Sequence, residues 1–146
     1  MEDKKINLES VNNIYKNAHI ALQSISDVSK EVQDPGLKQE LLDEYEGYEK
    51  IIGEISSYMA EHGHTPQDVN IMKKAMLWTS VKLNALADGS KSHIAEMMIK
   101  GTVMGITELT EMLNRGQENI DKEILDYAEK LKNLEESYEE KLKTFL

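Results

Sequence analysis

Apolar residues recur along this chain at alternating steps of three and four, the spacing that lines them up on one stripe of an α-helix. The first run is Leu8, Val11, Tyr15, Ala18, Leu22, Ile25, Ser29 and Val32, widened by Ile14, Ala21 and Val28. It predicts one helix of roughly 25 residues, or ~40 Å at 1.5 Å per residue. The stop is Asp34-Pro35-Gly36: Pro disfavours helix at the residue before it, and Asp can cap a second helix that carries Pro at its first position. The second stripe is Leu37, Leu41, Tyr45, Tyr48, Ile52, Ile55, Met59 and His62. It breaks at Gly63, a residue able to take the left-handed conformation that ends helices. The two helices should form an antiparallel hairpin.

Thr65-Pro66-Gln67-Asp68 reads as a cap, a Pro at the first helical position and a short acid three residues after the cap, a variant of the capping box. A third helix from about Gln67 to Ala87 is weaker, because Lys pairs and Thr interrupt its stripe of Val69, Met72, Met76, Thr79, Leu83 and Leu86. Asp88-Gly89-Ser90 ends it. A fourth, about Lys91 to Arg115, is apolar nearly all round, with charge only at Glu96, Lys100, Glu108, Glu111 and Arg115; such a helix is normally central. After Asn114-Arg115-Gly116 the last stripe runs Ile120, Ile124, Tyr127, Leu131, Leu134, Tyr138, Leu142 and Phe145. Its other face is dense in Glu and Lys, read as a solvated face with one-turn pairs such as Glu136 to Lys132 and Glu139 to Lys143. The pattern is all-α, a single domain over residues 1–146: a four-helix bundle of two helical hairpins with a helical crossover, five helices in all.

Charge and composition narrow the function classes. With 17 basic and 27 acidic residues the formal charge is −10, a poor match for phosphate backbones, which need clustered Lys and Arg. Nucleic acid and anionic membrane surfaces drop out as partners. The acidity lies on residues 36–62 and 117–146, where it favours solubility and could favour cationic or metal partners. No window reaches the ~18 apolar residues of a bilayer-spanning helix, and the start has no apolar stretch of a secretory leader; the expectation is a cytoplasmic protein. Zero Cys removes disulfides, thiolate metal sites and a Cys nucleophile. No phosphate-cradling Gly loop or nucleophile elbow is present either.

The stretch LKQELLDEYEGYEKIIGEISSYMAEHGHTP, followed by a crossover and then AEMMIKGTVMGITELTEML, resembles the second and third core helices of the ferritin-like superfamily. In layout it is most similar to small rubrerythrin-related bacterial proteins of unknown function. The resemblance covers about Leu8 to Leu142 and is carried by helix lengths, the Gly-x-Thr-Pro turn and the crossover. It implies a ferritin-like bundle. In metal-bearing members it further implies a di-iron or di-manganese centre built from one Glu on each of two helices and a Glu-x-x-His on each of the other two.

That ligand set is not present here. The one Glu-x-x-His, Glu61 to His64, straddles the helix-ending Gly63, and His62 and His64 read as cap and turn. His93 sits at a helix start with no recognisable partner. Where the fourth helix would offer an inward carboxylate, the chain has Gly101 and Gly105. A degenerate metal site remains conceivable from Glu44, Glu108 and His19, whose burial would require pairing or a metal; the simpler reading leaves all three at the stripe edge with their polar ends in water. The expected middle is therefore aliphatic, with no catalytic, cofactor-binding or metal residue assigned and no cofactor. Gly101 and Gly105 each cost roughly 1 kcal/mol in a helix relative to Ala, which close approach of another helix backbone, in the same chain or a second copy, would offset. Met72, Met76, Met97, Met98, Met104 and Met112 read as soft core or as an adaptable groove, with Trp78 a docking residue if exposed. The leading expectation is a non-catalytic bundle acting through self-association or a protein partner. Opposed to it stand a di-metal carboxylate protein with oxidase, peroxidase or metal-storage activity, and a bacterial coat or stress-associated structural protein.

Overall fold

A computed structural model describes residues 2–66, 90–116 and 119–146. Those residues form four helices and no strand: α1 (Glu2–Ser29), α2 (Pro35–Glu61), α3 (Lys91–Gly116) and α4 (Lys122–Lys143). The helix expected over Gln67–Ala87, with Met72, Met76 and Trp78, lies outside the described residues.

The punctuation behaves as the side-chain chemistry dictates. Asp34 sits at the N-cap of α2 with extended backbone and accepts a hydrogen bond from the Leu37 N–H at 2.9 Å, and Pro35 opens the helix. His62 caps the other end, and Gly63 follows at φ 73°. The His62 ring stacks on Tyr58 while its Nδ1 lies 2.8 Å from the Tyr58 carbonyl, so that nitrogen carries the proton and donates. At α4 the cap is tied differently: Asp121 makes no side-chain cap bond, but its N–H donates to Asn7 Oδ1 on α1 at 3.0 Å.

Cross-helix pairs set the arrangement. Tyr48 meets Tyr138, Glu54 meets Lys130 and Tyr58 meets Tyr127, so α2 and α4 run antiparallel. Asn17 bonds Gly105 halfway along α1 and α3. Around the bundle α1 is flanked by α2 and α3, α4 is flanked by the same two, and α1 also touches α4 across the centre. The α2 C-terminus therefore lies at one end of the bundle and the α3 N-terminus at the other.

The core is a seam of heptad-like steps. On α2 it is Leu37, Leu41, Tyr48, Ile51, Ile55 and Tyr58, and on α4 Ile124, Ala128, Leu131, Tyr138 and Leu142. The α3 helix departs from its expected central position. Ile94, Met97, Met98 and Leu109 are buried, yet Val103 and Met104 on the opposite side are exposed, Met104 at 59%. An apolar composition all round does not by itself bury all faces; among the described helices the main neighbours of α3 are α1 and α4. The Met set divides accordingly, with Met97 and Met98 buried, Met112 half-buried against the core and Met104 in water. The one-turn pairs Lys132–Glu136 and Lys143–Glu139 both form on α4, at 3.7 Å. Replacing Asp34 with Ala removes the acceptor for the Leu37 N–H and is expected to lower unfolding free energy by about 1 kcal/mol; urea denaturation with an unchanged m-value is the check.

Candidate functional site

The middle of the bundle is polar, contrary to the aliphatic interior expected. Two of the seam positions are Glu: Glu44, between Leu41 and Tyr48 on α2, and Glu135, between Leu131 and Tyr138 on α4, each 1% exposed. On α1, Ser10, Asn17 and Ser24 are buried at intervals of seven residues, two turns apart on the inward face. Tyr48, fully enclosed, donates its hydroxyl proton to Glu135 Oε2 at 3.2 Å and meets the Tyr138 ring edge-on.

Two glycines make room for this layer. A Cβ on Gly105 would lie 2.7 Å from Glu135 Oε1 and 3.2 Å from Asn17 Oδ1. The neighbour that offsets this glycine is therefore a carboxylate and an amide of the same chain, and not the helix backbone expected. Asn17 Nδ2 donates to the Gly105 carbonyl at 3.0 Å, which fixes the orientation of its amide. On α2, a Cβ on Gly47 would collide with the Tyr138 hydroxyl.

Between α1, α3 and the Glu135 face of α4 lies a cavity of about 290 Å³. Ile20, Ile25, Met98 and Met104 supply apolar wall, and Asn17, Ser24, Thr102 and Glu135 supply polar groups, with Glu108 also on the lining. The hydroxyl donors are already committed, as is one N–H of the Asn17 amide. Ser24 bonds the Ile20 carbonyl and Thr102 the Met98 carbonyl within their own helices, Asn17 bonds Gly105, and Tyr48 bonds Glu135. Asn17 Oδ1 and Glu135 Oε1 are buried without a partner.

Burial governs the acids. Desolvation pushes the Glu135 carboxyl up to about 8, against the opposing Tyr48 hydrogen bond and with help from the charge of Glu108. Glu44 is pushed up to about 10, by burial first and then by Glu40 one turn away. Glu40 Oε2 and Glu44 Oε2 have no partner as carboxylates. One proton reconciles them: neutral Glu44 donates to Glu40.

The residues proposed from sequence do not come together. Glu44 is buried and not at the stripe edge, because the heptad places it in the seam. Glu108 is exposed on α3, and His19 is half-buried against Tyr15, ring centroids 4.7 Å apart, away from the cavity lining. His62 and His64 follow α2 as cap and turn, and His93 is exposed in the first turn of α3, its N–H on Ser90 Oγ. Among the described residues no three His, Asp or Glu side chains are grouped to hold a metal ion. The donor set does not fit the di-metal centre the resemblance implies: Asn17 and Gly105 stand at mid-height on α1 and α3, and Tyr residues follow the two buried Glu. Glu135 and Asn17 were missed by sequence reasoning. The signal was present in the frame Ile124, Ala128, Leu131, Glu135, Tyr138, Leu142, which the choice of Leu134 as a stripe residue obscured.

The fold and site define an all-α four-helix bundle with an interhelical cavity, in which no helix among the described residues is long and apolar enough to cross a membrane. No family model, curated protein or solved structure matches the chain.

Two predictions follow from the buried layer. Unfolded Glu loses its proton near 4.5, whereas folded Glu135 and Glu44 keep theirs to about 8 and about 10. Their stabilisation is complete below about 4.5 and drains away as pH rises, each group contributing a slope of at most about 1.4 kcal/mol per pH unit in its window. Thermal melts should fall from pH 5 to pH 8, and Glu135→Gln or Glu44→Gln should flatten that fall and raise the melting temperature at pH 8. Separately, Gly47→Ala should cost about 1–3 kcal/mol by forcing Tyr138 aside. Adding Tyr138→Phe should recover part of that cost, and a double-mutant cycle in urea measures the coupling.

Proposed function

We propose that the chain is a non-catalytic binding bundle of ferritin-like arrangement, whose ligand is a small molecule held in the cavity between α1, α3 and α4. The observation that carries this reading is the pair of unpartnered acceptors, Asn17 Oδ1 and Glu135 Oε1, beside Gly105 in a cavity with apolar walls. Most ligand pockets combine such walls with a few placed polar groups. Binding is favoured over turnover because, among the described residues, the lining holds no His or Lys to pair with a nucleophile. Two hairpins, with α2 ending and α3 beginning at opposite ends of the bundle, support the ferritin-like arrangement.

Methyl NMR on Met-labelled protein titrated with a library of small organic fragments tests the reading. Saturable shifts are expected at Met98 and Met104, with Met59 unmoved. A library in which no member moves the two cavity methyls would overturn it. Elemental analysis of protein purified without chelators is expected to find less than about a few tenths of an equivalent of iron or manganese, since too few donors converge for a tight site; stoichiometric metal would put the di-metal reading in its place.

A further inference from the structure

We infer that the cavity ligand is a small organic cation, a protonated primary amine on a short apolar chain, with its ammonium group set between Asn17 Oδ1 and Glu135 Oε1. The inference rests on the cavity being a ligand site and adds the chemical class. Three features of the lining point to a ligand that brings donors and positive charge.

Each hydroxyl on the lining is spent inside the protein, Ser24 on Ile20, Thr102 on Met98 and Tyr48 on Glu135, and one amide N–H of Asn17 is spent on Gly105. The oxygens left without a partner are Asn17 Oδ1 and Glu135 Oε1. Asn17 is 7% exposed and Glu135 1%, so neither free oxygen can turn to bulk water. A buried acceptor left unsatisfied is destabilising, and a donor-bearing ligand removes that cost.

The charge on the lining has one sign. Glu135 and Glu108 are the acidic side chains on it, and among the described residues no Lys, Arg or His lines the space. An anionic ligand would find no fixed positive charge among the described residues there, while a chain of net charge −10 draws cations toward it. An ammonium offers three donors, two of them for Asn17 Oδ1 and Glu135 Oε1, with Glu108 on the same lining. A bare metal ion fits worse, because it needs more carboxylate or imidazole donors than converge here.

The remaining wall is Ile20, Ile25, Met98 and Met104, which an aliphatic chain would cover. A volume of about 290 Å³ is at the small end of ligand pockets, which start near ~300 Å³, and suits a compact molecule.

Pairing also moves a proton. Glu135 faces Tyr48 from α2, with Glu44 behind it, Glu108 from α3 and the neutral Asn17 from α1. Burial keeps much of it protonated at neutral pH, so an ammonium that requires the carboxylate expels that proton. Affinity should rise with pH by up to about tenfold per unit below 8 and then level.

The test is calorimetry and Met-methyl NMR on the full chain with butylammonium, butanol and butyrate. Butylammonium is expected to shift Met98 and Met104 saturably and to bind at least about tenfold tighter at pH 8 than at pH 6, while the alcohol and the acid bind at least about tenfold more weakly. Glu135→Gln should abolish the pH dependence and reduce affinity by about tenfold or more. Exposed Glu108→Gln, which puts no fold contact at risk, should reduce it by about two- to fivefold. If butanol or butyrate moves the cavity methyls as tightly as the amine, or if Glu108→Gln and Glu135→Gln both bind butylammonium unchanged, the cation assignment falls and the cavity reading stands. If none of the three compounds, and none of the fragment library, moves those methyls, both fall.

Discussion

Oxygen acceptors buried without donors are the constraint around which this bundle is organised. Asn12 Oδ1, Asn17 Oδ1, Glu40 Oε2, Glu44 Oε2 and Glu135 Oε1 are enclosed without a hydrogen-bond partner. A hydrophobic seam would have been simpler and more stable, since a half-satisfied polar network is worse than an apolar core. The layer is tolerated because protons substitute for missing partners. Glu44 keeps its proton and directs it at Glu40 in a hydrogen bond, and Glu135 keeps its own until an opposing charge arrives. Tyr48 joins the two halves, with its ring against Tyr138 and its hydroxyl on Glu135.

The same constraint explains where glycine sits. Side chains on α4 reach over the backbones of α2 and α3 at mid-height, and there the chain has Gly47 and Gly105. Neither glycine is required by backbone conformation, since both lie within regular helix. Each clears space for an oxygen: the Tyr138 hydroxyl over Gly47 and the Glu135 carboxyl over Gly105. Helix propensity is given up at these points so that polar groups can occupy the interface.

Most of the helical pattern was legible in the sequence, because apolar periodicity and end signals are local. Asp34-Pro35 and Gly63 sit where capping chemistry puts them, and the boundaries of α3 agree with its pattern to within a residue. The polar layer was harder to see for a physical reason. Glu44 and Glu135 fall on heptad positions, but each has an apolar neighbour, Tyr45 or Leu134, that extends an equally good stripe slightly rotated about the helix. Only cross-helix packing chooses between the two frames. The α3 helix, apolar nearly all round, was expected at the centre, yet Val103 and Met104 are exposed, since such a helix is buried all round only where partners cover every face. Gly105 was singled out correctly as a close approach, but the approaching group is a side chain, which helix spacing alone does not reveal.

Stability and binding are coupled through the same atoms. In the empty bundle Glu135 is held neutral by burial, and its free oxygen and that of Asn17 forgo their hydrogen bonds beside Gly105. Any molecule that supplies donors there binds the folded chain and not the unfolded one, since Asn17, Gly105 and Glu135 come from three separate helices. Occupancy therefore adds to folding free energy in proportion to the logarithm of ligand concentration over its dissociation constant. A seam repacked with Leu at position 135 would be insensitive to such a ligand. Retaining Glu in the seam gives up packing stability in the empty chain and leaves two oxygens ready for a partner that brings donors.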